Sequence, residues 1–147
     1  MRKLDQKQLV SKLTDIKLPD SIQYFSGGSE ATNRIHYQTL PVAGFVRWPN
    51  NKPCMAVNAY LLDQAYRWTG ESAITEANKL VELVRYCADG RADRIACDFG
   101  DLNDNDVARL ITKLCTDAFV DDVSQRVRNN NTVRAIMQSC FRFLHWY

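Results

Sequence analysis

The chain has 147 residues, 46% of them hydrophobic and 24% charged, which suits one folded domain or a small domain with an arm. This composition excludes disordered, collagen-like and disulfide-stapled proteins, whereas the net charge of +2 says little about partners. No apolar run approaches the roughly 20 residues of a membrane-spanning helix, and the polar N-terminus lacks the apolar core of a signal peptide. We therefore expect a cytoplasmic protein with no membrane contact.

Residues 1–54 form the first expected unit, an N-terminal arm. All four prolines lie in this part, and apolar residues recur at helical spacing only after Pro53. We expect a short amphipathic helix over 3–17, which Pro19 would end. Residues 35–48 are rich in β-branched and aromatic types, and this favours an extended arm or a short β-hairpin.

Residues 55–147 form the second expected unit, a domain of four helices. The first helix is predicted over about 55–68. Its inner face comprises Leu61, Leu62, Ala65 and Tyr66. The second helix is predicted to begin after Ser72 as N-cap and to run to about Ala88. Its apolar stripe comprises Ile74, Ala77, Leu80, Val81, Leu83, Val84 and Ala88.

The third predicted helix follows a connection over 90–102, in which Phe99 is the apolar anchor. Asn103 or Asn105 is expected to cap this helix. Its buried stripe is predicted to comprise Val107, Leu110, Ile111 and Leu114. The fourth helix begins after the polar run 129–132, and its inner face is predicted to comprise Val133, Ile136, Met137, Cys140 and Leu144. The apolar and aromatic end of the chain is still good helix, which is typical of a fragment of a longer protein.

The residues that carry chemistry in enzymes do not form a recognisable catalytic set. The two histidines, His36 and His145, are not paired with a cysteine or serine in any known arrangement. Asp101, Asp104 and Asp106 lack the spacing of a calcium loop, so we interpret them as helix-capping acids. The five cysteines contain no CxxC pair, which favours reduced and mostly buried thiols over a zinc site. We expect neither a metal nor another cofactor.

The starts of the second and fourth helices are the candidate binding site. Helix N-termini present free N–H groups that suit phosphate oxygens, and arginine, lysine and amide side chains contact DNA bases or backbone. The charge distribution also favours DNA binding at the C-terminal end, because residues 123–147 hold four arginines and no acid. Residues 55–122, by contrast, hold 13 acids against seven bases. The candidate DNA-binding residues are Ser72, Thr75, Asn78, Lys79, Arg85, Asn130, Asn131, Thr132, Arg134, Gln138 and Arg142.

Residues 55–147 resemble the core-binding domain of the tyrosine recombinases, the phage integrase family. The resemblance rests on three segments. These are Ser72-Ala73-Ile74-Thr75 with Leu80, Leu83 and Tyr86; Asp101-Leu102-Asn103 with Val107, Leu110 and Ile111; and Asn131-Thr132-Val133 with the aromatic run 141–146. It implies a mainly α, SAM-like four-helix bundle that forms half of a C-shaped clamp on double-stranded DNA. It also implies that catalysis belongs to a separate domain of the same parent chain, and that the parent assembles as a homo-oligomer on DNA.

A second interpretation stays open at this point. The same helices could form a protein-interaction module, in which an exposed aromatic end comprising Phe141, Phe143, Trp146 and Tyr147 awaits a partner. The two interpretations share a fold. They differ on whether Arg134, Gln138 and Arg142 line a positive concave surface together with Lys79.

Overall fold

The computed structural model describes residues 9–21, 36–68, 71–91, 93, 95–116 and 128–147. Two strands, β1 (Val10–Ser21) and β2 (His36–Val46), form an antiparallel sheet. Four α-helices follow, α1 (Met55–Gln64), α2 (Ser72–Arg85), α3 (Asp104–Thr116) and α4 (Asn130–Trp146). The expected mainly α class is confirmed at this level.

The helix predicted over 3–17 is wrong for the part that the structure describes, because residues 10–17 belong to β1. Residues 3–8 lie outside the described residues. The extended character predicted for 35–48 is confirmed over His36–Val46, whose partner is β1, with Val10 opposite Val46 at one end of the pairing. A local apolar pattern could not reveal this partner, because strand pairing depends on contacts far apart in sequence.

The end of β2 packs closely on helix α2. A Cβ atom placed on Gly44 would lie 2.8 Å from the Cβ of Ala77 and 3.2 Å from the carbonyl oxygen of Ala73. Glycine therefore allows the strand to approach the helix backbone at this position.

The strands and the helices share one apolar core. Leu9 and Val46 are fully buried in the same cluster as the inner faces of the helices. The buried side-chain amide of Asn58 in α1 accepts from the Val46 N–H at 2.7 Å and donates to the Val46 carbonyl at 3.0 Å. Residues on both sides of the expected boundary at 54/55 are thus joined by packing and by hydrogen bonds.

The helix bounds differ from the predicted ones at several places. Helix α1 ends at Gln64 and continues as a 3₁₀ turn over Ala65–Arg67, and α2 continues as a π-helical turn over Tyr86–Gly90. In α3, Asn103 is the cap, since its side chain accepts from the Asp106 N–H at 3.1 Å. The predicted burial of Ile111 is wrong, because its side chain is 38% exposed on the outer side of α3.

An aromatic cluster holds the C-terminal end of α4 against the body of the protein. Phe143 is fully buried, and its ring lies 4.9 Å from that of Phe99 and 5.4 Å from that of Tyr60. Trp146 donates to Asp63 at 2.8 Å, and the Tyr147 hydroxyl lies 3.2 Å from the Asp98 carboxylate. The predicted exposure of Phe143 is therefore wrong, because its ring fills the centre of this cluster.

Candidate nucleic-acid interface

Helix α4 presents a basic and polar outer face. Arg134, Gln138 and Arg142 follow one another every four residues, so they share one side of the helix, and all three are exposed. No acidic residue occurs anywhere in α4. From Asn131 to His145, both exposed, the face measures about 21 Å, which is the length of roughly six base-pair steps.

The start of α4 is open to an anion. Asn129 is the N-cap, and its side chain accepts from the Thr132 N–H at 2.8 Å. Asn130 and Asn131 are exposed, Thr132 is half-buried, and the first turn contains no acid. The unpaired N–H groups and the helix dipole therefore favour a negative group at this end.

The start of α2 has a different electrostatic character. The predicted N-cap Ser72 is wrong by one residue, because the Glu71 carbonyl already accepts the first helical hydrogen bond, from the Thr75 N–H at 3.0 Å. The Thr75 hydroxyl also donates to the Glu71 carbonyl, at 3.2 Å. The Glu71 carboxylate forms an ion pair with Lys12 of β1. A carboxylate at this end competes with phosphate, so the start of α2 is the poorer anion site.

The remaining candidates on α2 are exposed to different degrees. Asn78 is exposed, whereas Lys79 and Arg85 are half-buried. Arg85 is engaged in an interaction within the fold. Lys79 lies one helical turn beyond Glu76, so the two side chains occupy neighbouring positions on the helix surface.

Two ion pairs show that α2 and α4 pack in opposite directions. Glu76, near the start of α2, faces Arg142 near the end of α4 at 3.7 Å. Glu82, near the end of α2, contacts Arg128 just before α4 at 2.8 Å. The two helix starts that the sequence singles out therefore lie at opposite ends of the pair. At 1.5 Å per residue, the 14 residues of α2 separate them by about 21 Å.

Glu76 is a buried acid at the seam between α2 and α4. Its side chain is 8% exposed, and among the described residues its Oε1 has no hydrogen-bond partner. The facing Arg142 is 64% exposed and also donates to the Ser139 hydroxyl at 3.2 Å. Burial and the nearby Glu76 charge raise the pKa of Tyr60 above its usual value. Glu76 and Ser139 thus contact the Arg142 guanidinium from the protein side, while most of the Arg142 side chain remains exposed to solvent.

The sequence pattern does not identify Glu76, Glu82 and Arg128 as residues that join these helices. Glu82 lies on the face of α2 that the helical pattern assigns to solvent, yet its side chain is only 12% exposed because Arg128 covers it. The Arg128 side chain is 5% exposed and also donates to the Leu114 carbonyl at 3.4 Å. No local signal marks these partners, because each contact joins residues distant in sequence.

Comparison with protein-family models, curated proteins and solved structures gives no match for this chain. Among the described residues, no helix combines the length and the apolar character needed to cross a bilayer. The functional proposal therefore rests on the geometry of the described residues. It brings Arg134, Gln138 and Arg142 onto one face with the start of α4, and it places the start of α2 at the far end.

Proposed function

We propose that this chain binds duplex DNA through helix α4, as the N-terminal portion of a site-specific tyrosine recombinase or integrase. The four helices would form the SAM-like half of a clamp. A catalytic domain of the same parent protein would supply the other half and the chemistry of strand breakage. In this proposal the chain binds DNA without cutting it, and the parent assembles as a homo-oligomer on its site.

The observation that carries the proposal is the exposed, acid-free face of α4. Arginine binds phosphate oxygens or the major-groove edge of guanine in a bidentate way, and glutamine does the same with adenine. Arg134 and Gln138 present these groups one turn apart on a helix whose opposite side is anchored in the core. A helix held in this way can lie in the major groove, which is wide enough to admit it.

The same reasoning assigns a lesser role to α2. Thr75 and Asn78 carry small polar side chains, which suit contacts to the DNA backbone, and Asn78 is exposed. Glu71 and Glu76 place negative charge at the start of this helix, which lowers its attraction for phosphate. We therefore assign base contacts and the main phosphate contacts to α4, and only uncharged hydrogen bonds to the DNA backbone to the polar residues of α2.

Few basic residues face the expected DNA, so the affinity of this half-clamp alone is expected to be low. We expect a dissociation constant in the non-specific range, about 10⁻⁴–10⁻⁶ M at physiological salt. Binding should weaken steeply as salt rises, since each phosphate contact releases counterions.

Fluorescence anisotropy with a labelled duplex tests the proposal. The variants are Arg134→Ala and Gln138→Ala on α4, and the matched control is Arg109→Ala, which removes an exposed arginine from α3. We expect the Arg134→Ala change to weaken binding about five-fold or more, a loss of about 1 kcal/mol. The control should bind like the wild type. Equal binding by all variants would reject the assignment of DNA contacts to α4.

One observation favours a second candidate function, a protein-interaction module. A shallow cleft between α2, α3 and α4 is lined mainly by apolar side chains, among them Val107, Leu110 and Leu144. Phe141 at its edge is 48% exposed, and the neighbouring α3 carries the exposed Ile111. Apolar surface of this kind is typical of protein contacts. Under this alternative, Phe141→Ser abolishes partner binding, and replacing the arginines of α4 does not change DNA binding.

A further inference from the structure

Two cysteines far from the α4 face lie against each other. Cys87 is fully buried in the π-helical turn Tyr86–Gly90, and Cys97 is partly exposed in the connection that leads to α3. The Cys97 N–H donates to the Cys87 carbonyl at 2.9 Å, and the two side chains interact electrostatically. Standard backbone dimensions keep two Cα atoms joined in this way within about 6.5 Å. Disulfides span roughly 4.4–6.8 Å between Cα atoms, so the pair needs little backbone movement to join.

The two thiols differ in their surroundings. The Arg91 side chain lies beside Cys97, and its Nε is 3.4 Å from the buried Asp106 carboxylate, which holds it in place. Reactive cysteines are typically found in electropositive, partly exposed surroundings, and Arg91 gives Cys97 such surroundings. Burial, followed by the effect of Cys97, raises the pKa of Cys87 far above its usual value. Cys87 therefore stays protonated while Cys97 is the accessible nucleophile.

We propose that Cys97 is an oxidant-sensitive thiol and that Cys87 is its resolving partner. The Cys97 thiolate attacks one oxygen of a peroxide, and the O–O bond breaks to give a sulfenic acid and hydroxide. Cys87 gives its proton to the sulfenic-acid hydroxyl, which leaves as water while the Cys87 sulfur bonds to the Cys97 sulfur. Both sulfurs are oxidised and the peroxide is reduced to water.

This modification would join the connection before α3 to the end of α2. Cys97 lies next to Asp98, whose side chain accepts from the Phe99 N–H at 2.8 Å and so begins the turn that places Phe99 in the core. The disulfide would hold this turn against the π-helical turn. Cys115 on α3 is the natural comparison, because it is more exposed than Cys97 but lies on a different element.

Peptide mapping of the full chain treated with hydrogen peroxide tests this proposal. Trypsin cuts after Arg85, Arg91, Arg94 and Arg109, so the two cysteines fall in separate peptides, 86–91 and 95–109. A Cys87–Cys97 disulfide links these peptides and disappears on reduction. We expect this linked pair to be the main oxidation product of the wild type. In Cys87→Ala, a sulfenic acid should instead be trapped at Cys97 by dimedone.

The rate of oxidation distinguishes a reactive cysteine pair from two cysteines that are only close together. We expect Cys97 to react several-fold faster than Cys115, and Arg91→Gln to reduce this difference. A main product that links either cysteine to Cys54 would overturn the proposal. Cys97 overoxidised beside a free Cys87 thiol in the wild type would also overturn it, and this measurement needs no variant to fold.

Discussion

Glu76 and Arg142 face each other at 3.7 Å across the seam between α2 and α4, yet the two side chains differ greatly in solvent exposure. The acid is 8% exposed and the arginine is 64% exposed. A buried carboxylate that lacks a hydrogen bond is costly, and an exposed arginine offsets only part of that cost because water screens the attraction. The interaction thus contributes little to stability, although it fixes the position from which the Arg142 side chain extends into solvent.

A pair of matched substitutions tests this view. Glu76→Gln removes a buried charge whose Oε1 has no hydrogen-bond partner within the described part of the chain, so we expect no loss of stability and a gain of up to about 1 kcal/mol. Glu82→Gln removes the negative charge that faces the buried Arg128 guanidinium at 2.8 Å, and we expect a loss of about 3 kcal/mol. Urea unfolding of both variants measures the difference. Equal losses would mean that the two acids are held in equivalent ways.

Gly44 is expected to be irreplaceable even by alanine. The added methyl group would overlap the Cβ of Ala77 at 2.8 Å, and we expect a loss of about 1–3 kcal/mol. The matched control is Gly100→Ala, where the nearest atom to the new Cβ is the Tyr147 Cε1 at 3.9 Å. Thermal unfolding should separate the two variants clearly. A Gly44→Ala protein as stable as the control would contradict the close packing of β2 on α2.

Asn58 is expected to hold the end of β2 in place. Asn58→Ala leaves the buried Val46 N–H without its acceptor, and we expect a loss of about 2 kcal/mol. Asn78→Ala is the control, since Asn78 is exposed on α2 and its loss should change the free energy of unfolding by less than about 0.5 kcal/mol. Denaturant titration of both variants checks the contrast, and similar values would argue against a buried amide clamp.

Acid should weaken the protein through Asp106. Burial alone would raise the pKa of this carboxyl, but hydrogen bonds from the Tyr86 hydroxyl and the Asn103 N–H, with the Arg91 charge, lower it overall. A lowered native pKa contributes stability above the unfolded value of about 3.9. That contribution is lost as the pH falls through the native value. Asp106→Asn should be less stable at neutral pH and show a shallower decline below about pH 4, as measured by unfolding at several pH values. An unchanged pH profile would contradict this role.

The helical half of the fold was accessible from the sequence because its information is local. Apolar residues at helical spacing and the polar run at 129–132 locate α4, although its observed start at Asn130 lies three residues before the predicted one. β1 was not accessible, since its pairing partners lie further along the chain, from His36 opposite Ser21 to Val46 opposite Val10. The exposed face of α4 followed from spacing alone. The ion pairs of Glu76 and Glu82 did not, because a helical pattern carries no information about which neighbour covers it.

The most direct test of the proposed function is the salt dependence of DNA binding, measured for the wild type, Arg134→Ala and Arg109→Ala. If Arg134 contacts a phosphate or a base next to one, its loss reduces the slope of log K against log salt by about one, while Arg109→Ala leaves the slope unchanged. Binding by the wild type that does not change between about 50 and 200 mM salt, or an equal effect of both variants, would contradict DNA recognition through α4.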